Sequence, residues 1–498
     1  MKFDYDLLIV GGGINGAGIA RDAAGRGLSV CLVEQGDLAS GTSSASTKMI
    51  HGGLRYLEYY EFSLVRQALK EREVLLSIAP HLIAPLRIVL PIFPNMRPAW
   101  LIRLGLWVYD HLGGKISLPP TSTILLKDSK EGLPLAPGPI RAFAYSDGLV
   151  DDARLVVLNA VSAKNHGAKI LNFTRLTSLK AKTDHWRASL DCAGKQISCT
   201  AKCVVNAAGP WADIVDEMAG LSHARHLVKV QGSHIVLPKL YEGDHAYLLQ
   251  NPDGRVLFAI PFQEKFTLFG TTDTPINGDP GNAHLNASET EYLLQAIKRV
   301  FAKDFKKTEI IWSYSGVRAL FGDPQKKASA LSRDYELVMD PPGNTPPFLS
   351  VLGGKITTYR SLSETAVTKI CTRLNKSDAK PWTAHTPLPG GDFGAKKLED
   401  LIAEVSAAWP FLGQKTASRL AHAYGTLVFR VFENVSKESE LGVHFGDGLY
   451  EKEVQYLCKH EWANSAEDIL WRRTKLGLHL TISEIENLKL WFLQADFP

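Results

Sequence analysis

The start of the chain sets apolar runs against glycine breaks more sharply than any later stretch. In Tyr5-Asp6-Leu7-Leu8-Ile9-Val10 the apolar positions are continuous, which predicts a strand buried on both faces. The run breaks into Gly11-Gly12-Gly13-Ile14-Asn15-Gly16, and an alanine-rich helix is predicted from near Asn15. A second apolar run from Leu28 to Val33 predicts another strand, which delivers Glu34 to its carboxyl end. Leu64, Ala68, Leu75 and Leu76 share one side of a predicted helix over 62–79. A proline-rich stretch from Pro80 to Pro98 follows, then an apolar segment Trp100–Leu112. Residues 116–140 read as loop, interrupted by Pro119, Pro120, Pro134, Pro137 and Pro139. A helix is predicted over 151–166 and alternating strands over 169–205, ending at Asn206-Ala207-Ala208-Gly209. From 228 to 340, short β-rich runs surround one amphipathic helix near 288–302. A last strand, Leu349 to Leu352, enters Gly353-Gly354-Lys355 and a helix from about Thr358 to Leu374. Pro387-Leu388-Pro389-Gly390-Gly391 reads as a linker, with a helical pattern beyond it.

Bulk properties narrow the function classes. A chain of 498 residues, 45% hydrophobic, holds two or three domains with large cores. A net charge of +4 gives no case for nucleic acid as partner. The six cysteines are scattered without a Cys-x-x-Cys pair, so no metal site is expected and a reducing compartment fits. The first strand begins directly after Met1-Lys2-Phe3-Asp4, leaving no room for a cleavable signal. No apolar run approaches a membrane-spanning length, so a cytoplasmic or peripheral protein is expected.

The opening strand, glycine turn, helix and distant acid form a complete βαβ dinucleotide fingerprint. Glycines let the backbone approach a pyrophosphate, the helix N-terminus favours its charge, and Glu34 is placed to accept hydrogen bonds from a ribose. The fingerprint alone does not separate NAD from FAD. Three later features favour FAD: the hydroxyl-rich loop from Asp37 to Lys48, the strand ending in Asn206-Ala207-Ala208-Gly209, and the late helix opened by Gly353-Gly354-Lys355. A helix N-terminus suits negative charge developing on a reduced flavin. The cofactor contacts expected are Gly11, Gly12, Gly13, Ile14, Asn15, Gly16, Glu34, Thr42, Ser43, Ser44, Ser46, Lys48, Gly209, Trp211, Gly354, Lys355, Ile356 and Thr357.

Several further motifs, taken together, are highly specific. They are His51-Gly52-Gly53-Leu54-Arg55-Tyr56-Leu57-Glu58, Tyr145-Ser146-Asp147, Gly232-Ser233-His234-Ile235 and Gly270-Thr271-Thr272-Asp273. Tyr314-Ser315-Gly316-Val317-Arg318, Ser332-Arg333-Asp334-Tyr335 and Gly353-Gly354-Lys355-Ile356-Thr357-Thr358-Tyr359-Arg360 extend the set, and His460-Glu461-Trp462 and Leu470-Trp471-Arg472-Arg473-Thr474 carry it into the tail. On these the chain resembles the FAD-dependent glycerol-3-phosphate dehydrogenases of the bacterial respiratory type over nearly its whole length. Small departures fall at Ser40-Gly41 and Gly148-Leu149.

The resemblance implies an α/β FAD-binding Rossmann-like domain, an α+β substrate or cap domain on a mixed β-sheet, and a C-terminal all-helical domain. The expected boundaries are 1–80, 141–225 and 345–385 for the cofactor domain, 81–140 and 226–344 for the cap, and 390–498 for the helical domain. It implies oxidation of sn-glycerol 3-phosphate to dihydroxyacetone phosphate by hydride transfer to flavin N5. Arg55, Arg318 and Arg333 become a phosphate-binding cluster, suited by the arginine fork, with Tyr56 adding a hydroxyl and Thr272 and Asp273 shaping the pocket. His234 is the expected general base because an unperturbed imidazole titrates near neutrality. Arg318 would face the forming alkoxide, Lys355 would stabilise reduced flavin or bind substrate, and His51 would be a buried hydrogen-bonder or a flavin contact. The partners implied are a membrane quinone and the cytoplasmic face of the inner membrane, held peripherally, with a homodimer as candidate assembly. Trp100 to Tyr109, flanked by Arg87, Arg97, Arg103 and Lys115, is the candidate interfacial element. The rival readings are an oxygen-reducing oxidase, an amine-oxidising flavoprotein, an NAD-only dehydrogenase, and a flavin-bearing binding protein without turnover.

Overall fold

A computed structural model describes residues 3–93, 97–114, 116–221, 227–321, 334–340, 345–376 and 378–494. Two large sheets organise it. In the first, Tyr5–Val10 runs parallel to Val30–Val33 on one side and to Lys195–Asn206 on the other. Lys169–Leu171 extends it past Val30–Val33, and Phe348–Leu352 lies parallel beyond Lys195–Asn206. Leu7, Leu8, Ile9, Cys31 and Leu32 are fully buried, as strands covered on both faces require. The helix Ile14–Gly25 packs on one face with Asp152–Asn165 and Tyr359–Arg373 around one apolar core.

The second sheet is mixed and longer. Its middle strand for function, Leu227–Pro238, pairs antiparallel with Phe266–Gly270 and with Trp312–Phe321. Strand periodicity divides its side chains cleanly. Ile235 and Leu237 join a core with the amphipathic helix Ala287–Phe301. Val236 points the other way, into a core shared with Phe62–Ile78 and Ala99–Leu112. His234 and Gly232 share the parity of Val236; Ser233 and Gln231 share that of Ile235.

The sheets do not divide where the composition of the chain changes. Arg141–Val150 pairs with Ile83–Pro91, and Met49–Ile50 pairs with Arg141–Val150, so 49–50 and 141–150 belong to the second sheet rather than the cofactor sheet. Glu336–Met339 joins the cofactor sheet beside Phe348–Leu352, although it was expected within the cap. Pairing partners distant in sequence decide membership, and local periodicity does not report them. The stretch 116–140 also contains an edge strand, Ser122–Leu125. Beyond the linker the chain is helical around its own core, with one short hairpin formed by His444–Gly446 and Leu449–Tyr450.

Candidate active site

One cavity of about 1570 Å³ runs from the first glycine turn, past the hydroxyl-rich loop, to the second sheet. Gly11, Gly13, Ile14, Asn15 and Glu34 line one end. Gly11 has φ +112°, and a Cβ there would meet the Ala207 carbonyl oxygen at 2.4 Å, so only glycine fits. The helix Ile14–Gly25 begins at Gly13 with no side-chain cap and no acidic residue in its first turn. Its N-terminal field therefore faces the cavity uncompensated, as an anionic pyrophosphate requires. The Glu34 carboxylate accepts the backbone N–H of Gly12 at 2.6 Å and of Gly36 at 2.8 Å, and burial raises its pKa. Asn15 Oδ1 is buried without a hydrogen-bond partner among the described residues.

Thr42, Ser43, Ser46, Gly209, Trp211, Gly354, Lys355 and Ile356 continue the wall. Ser43 Oγ accepts the N–H of Ile14 at 3.0 Å, tying the loop to the helix start. Trp211 Nε1 donates to Asp279 at 2.9 Å, joining the cofactor side to a loop of the second sheet. Gly353 and Gly354 have φ +73° and +103°, the turn that presents Lys355. Lys355 Nζ sits 3.7 Å from the centre of the Tyr56 ring. An orphaned polar atom, two glycine turns and an open helix N-terminus on one wall fit FAD.

Some expected contacts do not reach the cavity. Lys48 is 2% exposed, with Nζ 3.0 Å from both carboxylate oxygens of Asp152 and 2.9 Å from the Ser44 carbonyl. Its role is to satisfy a buried acid behind the loop. Ser44 supplies that carbonyl, and Thr357 accepts the N–H of His51 at 3.2 Å from a buried position. Gly12 and Gly16 act through clearance, a Cβ at Gly16 falling 1.9 Å from the Gly11 carbonyl oxygen. Thr272 is 1% exposed and turned away, while its neighbour Thr271 lines the cavity. Arg333 lies outside the described residues.

The opposite end of the cavity gathers His51, Arg55, Tyr56, His234, Thr271, Asp273 and Arg318. Arg318 pairs with Asp273, and its second terminal nitrogen donates to Thr271 Oγ1 at 3.3 Å. His234 is 1% exposed, with Nε2 3.0 Å from Thr47 Oγ1 and its ring stacked on Tyr314 at 5.0 Å. Its Nδ1 has no hydrogen-bond partner among the described residues. Burial first, then the charges of Arg318 and Lys48, push its pKa well below 6.5. The near-neutral titration expected of it is thereby corrected: the imidazole is neutral across the physiological range. Sequence reasoning missed Thr47, Thr271 and Tyr314. Thr271 and Thr272 lie in the turn between Phe266–Gly270 and Thr274–Pro275, where no strand period assigns a side chain to wall or core.

Comparisons with known proteins identify the family. Residues 6–360 match the family model described as FAD dependent oxidoreductase, and residues 381–487 match the C-terminal domain of alpha-glycerophosphate oxidase. The chain is 49% identical to a glycerol-3-phosphate dehydrogenase of Pseudomonas aeruginosa, covering 99% of this chain and 96% of that one. It is 45% identical to a D-erythritol 1-phosphate dehydrogenase of Brucella abortus, covering 99% and 98%. The crystal structure of a Bacillus halodurans glycerol-3-phosphate dehydrogenase complexed with FAD superposes with a TM-score of 0.80 at 28% identity, covering 98% of this chain and 90% of that one. The chain belongs to the family of FAD-dependent glycerol-3-phosphate dehydrogenases.

Proposed function

We propose that this protein oxidises sn-glycerol 3-phosphate at its secondary carbinol, giving dihydroxyacetone phosphate, and passes the electrons to a membrane quinone. The carrying observation is that one cavity joins the dinucleotide fingerprint to His234 and to the cations Arg55, Arg318 and Lys355. When bound, FAD supplies the acceptor for the carbinol hydride and the store from which electrons leave. Arg318 and Arg55 hold the phosphate dianion through charge-assisted hydrogen bonds. Asp273 fixes the Arg318 fork. His234 takes the carbinol proton at Nε2, beside Thr47 Oγ1. Burial holds that imidazole in its neutral form, the form able to accept a proton.

The membrane part of the reading rests on the helix Ala99–Leu112. Trp100 is 68% exposed and Trp107 57%, with Arg97 and Arg103 alongside. The same helix turns Leu101, Ile102, Leu104, Gly105 and Val108 into the cavity wall. One helix thus meets an interface on its outer side and the redox site on its inner side, which suits a quinone entering from the headgroup region of the cytoplasmic leaflet. Lys115 lies outside the described residues. Among the described residues no helix is long and apolar enough to cross a membrane.

A second substrate has its own support, since a relative almost as similar acts by name on D-erythritol 1-phosphate. The test is anaerobic mixing with each phosphate in turn, following the flavin band near about 450 nm. Bleaching at least about tenfold faster with sn-glycerol 3-phosphate supports the proposal; the reverse order assigns the longer polyol. A flavin that stays oxidised with both refutes it. Repeating turnover in air with a peroxide readout separates quinone from oxygen as acceptor.

A further inference from the structure

Beneath the strand that carries His234 lies a carboxylate that does not line the cavity. Glu289 is 4% exposed, at the third position of the helix Ala287–Phe301. As half of a capping box it needs only the Asn286 backbone N–H, which it meets at 3.3 Å. It accepts four more hydrogen bonds, all from across the sheet. Its Oε1 receives Thr272 Oγ1 at 2.6 Å and Thr274 Oγ1 at 3.0 Å. Its Oε2 receives Gln231 Nε2 at 2.8 Å and Ser233 Oγ at 3.0 Å.

These four donors flank the site in a regular way. Gln231 and Ser233 occupy the helix-facing parity of their strand, leaving Gly232 and His234 on the cavity side. Thr272 and Thr274 bracket Asp273, the partner of Arg318. Thr272 Oγ1 also accepts the Ser233 N–H at 2.9 Å, closing the strand onto the turn. Above it, Arg318 pairs with Asp273 and donates to Thr271 Oγ1 at 3.3 Å. Any shift of the segment 271–274 is therefore transmitted to the Arg318 guanidinium.

We propose that Glu289 is a positioning residue for the substrate phosphate, acting through Thr272, Thr274 and Asp273 on the orientation of Arg318. The proposal rests on Arg318 as a phosphate ligand. A helix cap alone would affect stability; this arrangement sets KM.

The experiment compares Glu289→Gln with the parent holoenzyme. Glutamine carries one acceptor oxygen in place of two, so either Thr272 and Thr274 or Gln231 and Ser233 meet an amide donor, and the Ser233 N–H to Thr272 Oγ1 hydrogen bond couples the two sides. The expected result is full FAD content, kcat within about threefold, and KM raised about tenfold, the scale of one misaligned charge-assisted phosphate contact. The dissociation constant of inorganic phosphate, read from its perturbation of the flavin spectrum, rises in parallel. A lower melting temperature with KM and phosphate affinity within twofold of the parent would overturn the proposal. If Glu289→Gln does not fold, Thr272→Val decides, since it removes only the hydroxyl: a severalfold rise in KM supports the clamp, and an unchanged KM ends it. Arg318→Lys in the same assay separates the two levels. If it leaves KM unchanged, the phosphate reading fails and the proposal with it; if it raises KM while Glu289→Gln does not, only the positioning role fails.

Discussion

Gly270→Ala tests the placement of His234 without touching the imidazole chemistry. A Cβ at this position would lie 2.4 Å from His234 Cδ2, 2.8 Å from Cγ and 3.0 Å from the Ser233 carbonyl oxygen. Ordinary contact begins near 3.4 Å, so methyl and ring must separate by about 1 Å. The ring has little freedom to yield. Tyr314 stacks on it with 22° between the planes, and Thr47 meets Nε2 at 3.0 Å. The methyl therefore displaces the base by close to the full overlap, and a misplacement of that size costs about a hundredfold in rate. The overpacking itself destabilises by about 1–3 kcal/mol, too little to empty the cofactor site. The assay is anaerobic stopped-flow reduction of the bound flavin by sn-glycerol 3-phosphate. The limiting rate constant is expected to fall about a hundredfold, with FAD content unchanged and the substrate dissociation constant altered only a few-fold. A Gly270→Ala enzyme reducing its flavin within threefold of the parent would refute His234 as the base.

Lys48→Met leaves Asp152 as a buried charge without its cation and is expected to destabilise by about 3–5 kcal/mol in urea unfolding, with partial recovery when Asp152→Asn is added. His81 is buried, and burial together with the neighbouring Arg154 and His422 holds its pKa down at about 3. Below about pH 6.5 the unfolded chain takes up a proton that the folded site refuses, so this group costs up to about 1.4 kcal/mol per pH unit as pH falls from there toward 3. Asp22 and Asp147, each raised by burial to about 6, work in the opposite direction as pH falls through 6, so the comparison must be between His81→Leu and parent at each pH. The variant should lose less stability than the parent between pH 7 and pH 4.5, and equal losses would show that His81 is not the sensor. Replacing Trp100 and Trp107 together by serine should weaken flotation with phosphatidylglycerol vesicles by about tenfold or more, while anaerobic flavin reduction stays at the parent rate; unchanged flotation would move the membrane face elsewhere.

The cofactor end of the site was legible because its signals are local. A strand, a glycine turn and an acid at the next strand end need only period and spacing, and Gly11 to Glu34 supply both within one βαβ unit. Lys48 was misread for the opposite reason: it sits in a hydroxyl-rich cofactor loop, but its partner Asp152 is 104 positions away. The Thr271-Thr272 pair gave the right segment and the wrong residue, since the two lie in a turn and nothing in composition says which threonine faces the cavity. Glu289 shows the limit most clearly. Asn286-x-x-Glu289 is readable as a capping box, yet the four hydrogen bonds that carry it beyond a cap come from two other segments of the second sheet. His234 was found by motif, while its lowered pKa depends on Arg318 and Lys48, which tertiary packing brings to it.

A C-terminal helical region can serve as a lid or as a partner-docking module, and the contacts of this one argue for a third role. Among the described residues, none beyond Ile356 lines the cavity, so it does not cover the substrate. It presses instead on the back of the site. Arg473 and Arg472 bind Asp37 at the start of the cofactor loop, and although burial opposes it they hold that carboxyl below its usual range. Lys475 reaches Asp151, which caps the helix whose next residue, Asp152, holds Lys48 and Ser46. Glu461 pairs with Arg154 on the same helix, both fully buried. Trp471 stacks on Trp312 at 4.4 Å, Trp312 meets Tyr314 at 5.0 Å, and Tyr314 stacks on His234. Charges desolvated across a boundary are costly to part, because each half would keep an uncompensated ion. A detachable module does not bury its ions in this way. The region is a rear support, whose ion pairs and ring stack brace the cofactor loop and the imidazole from behind.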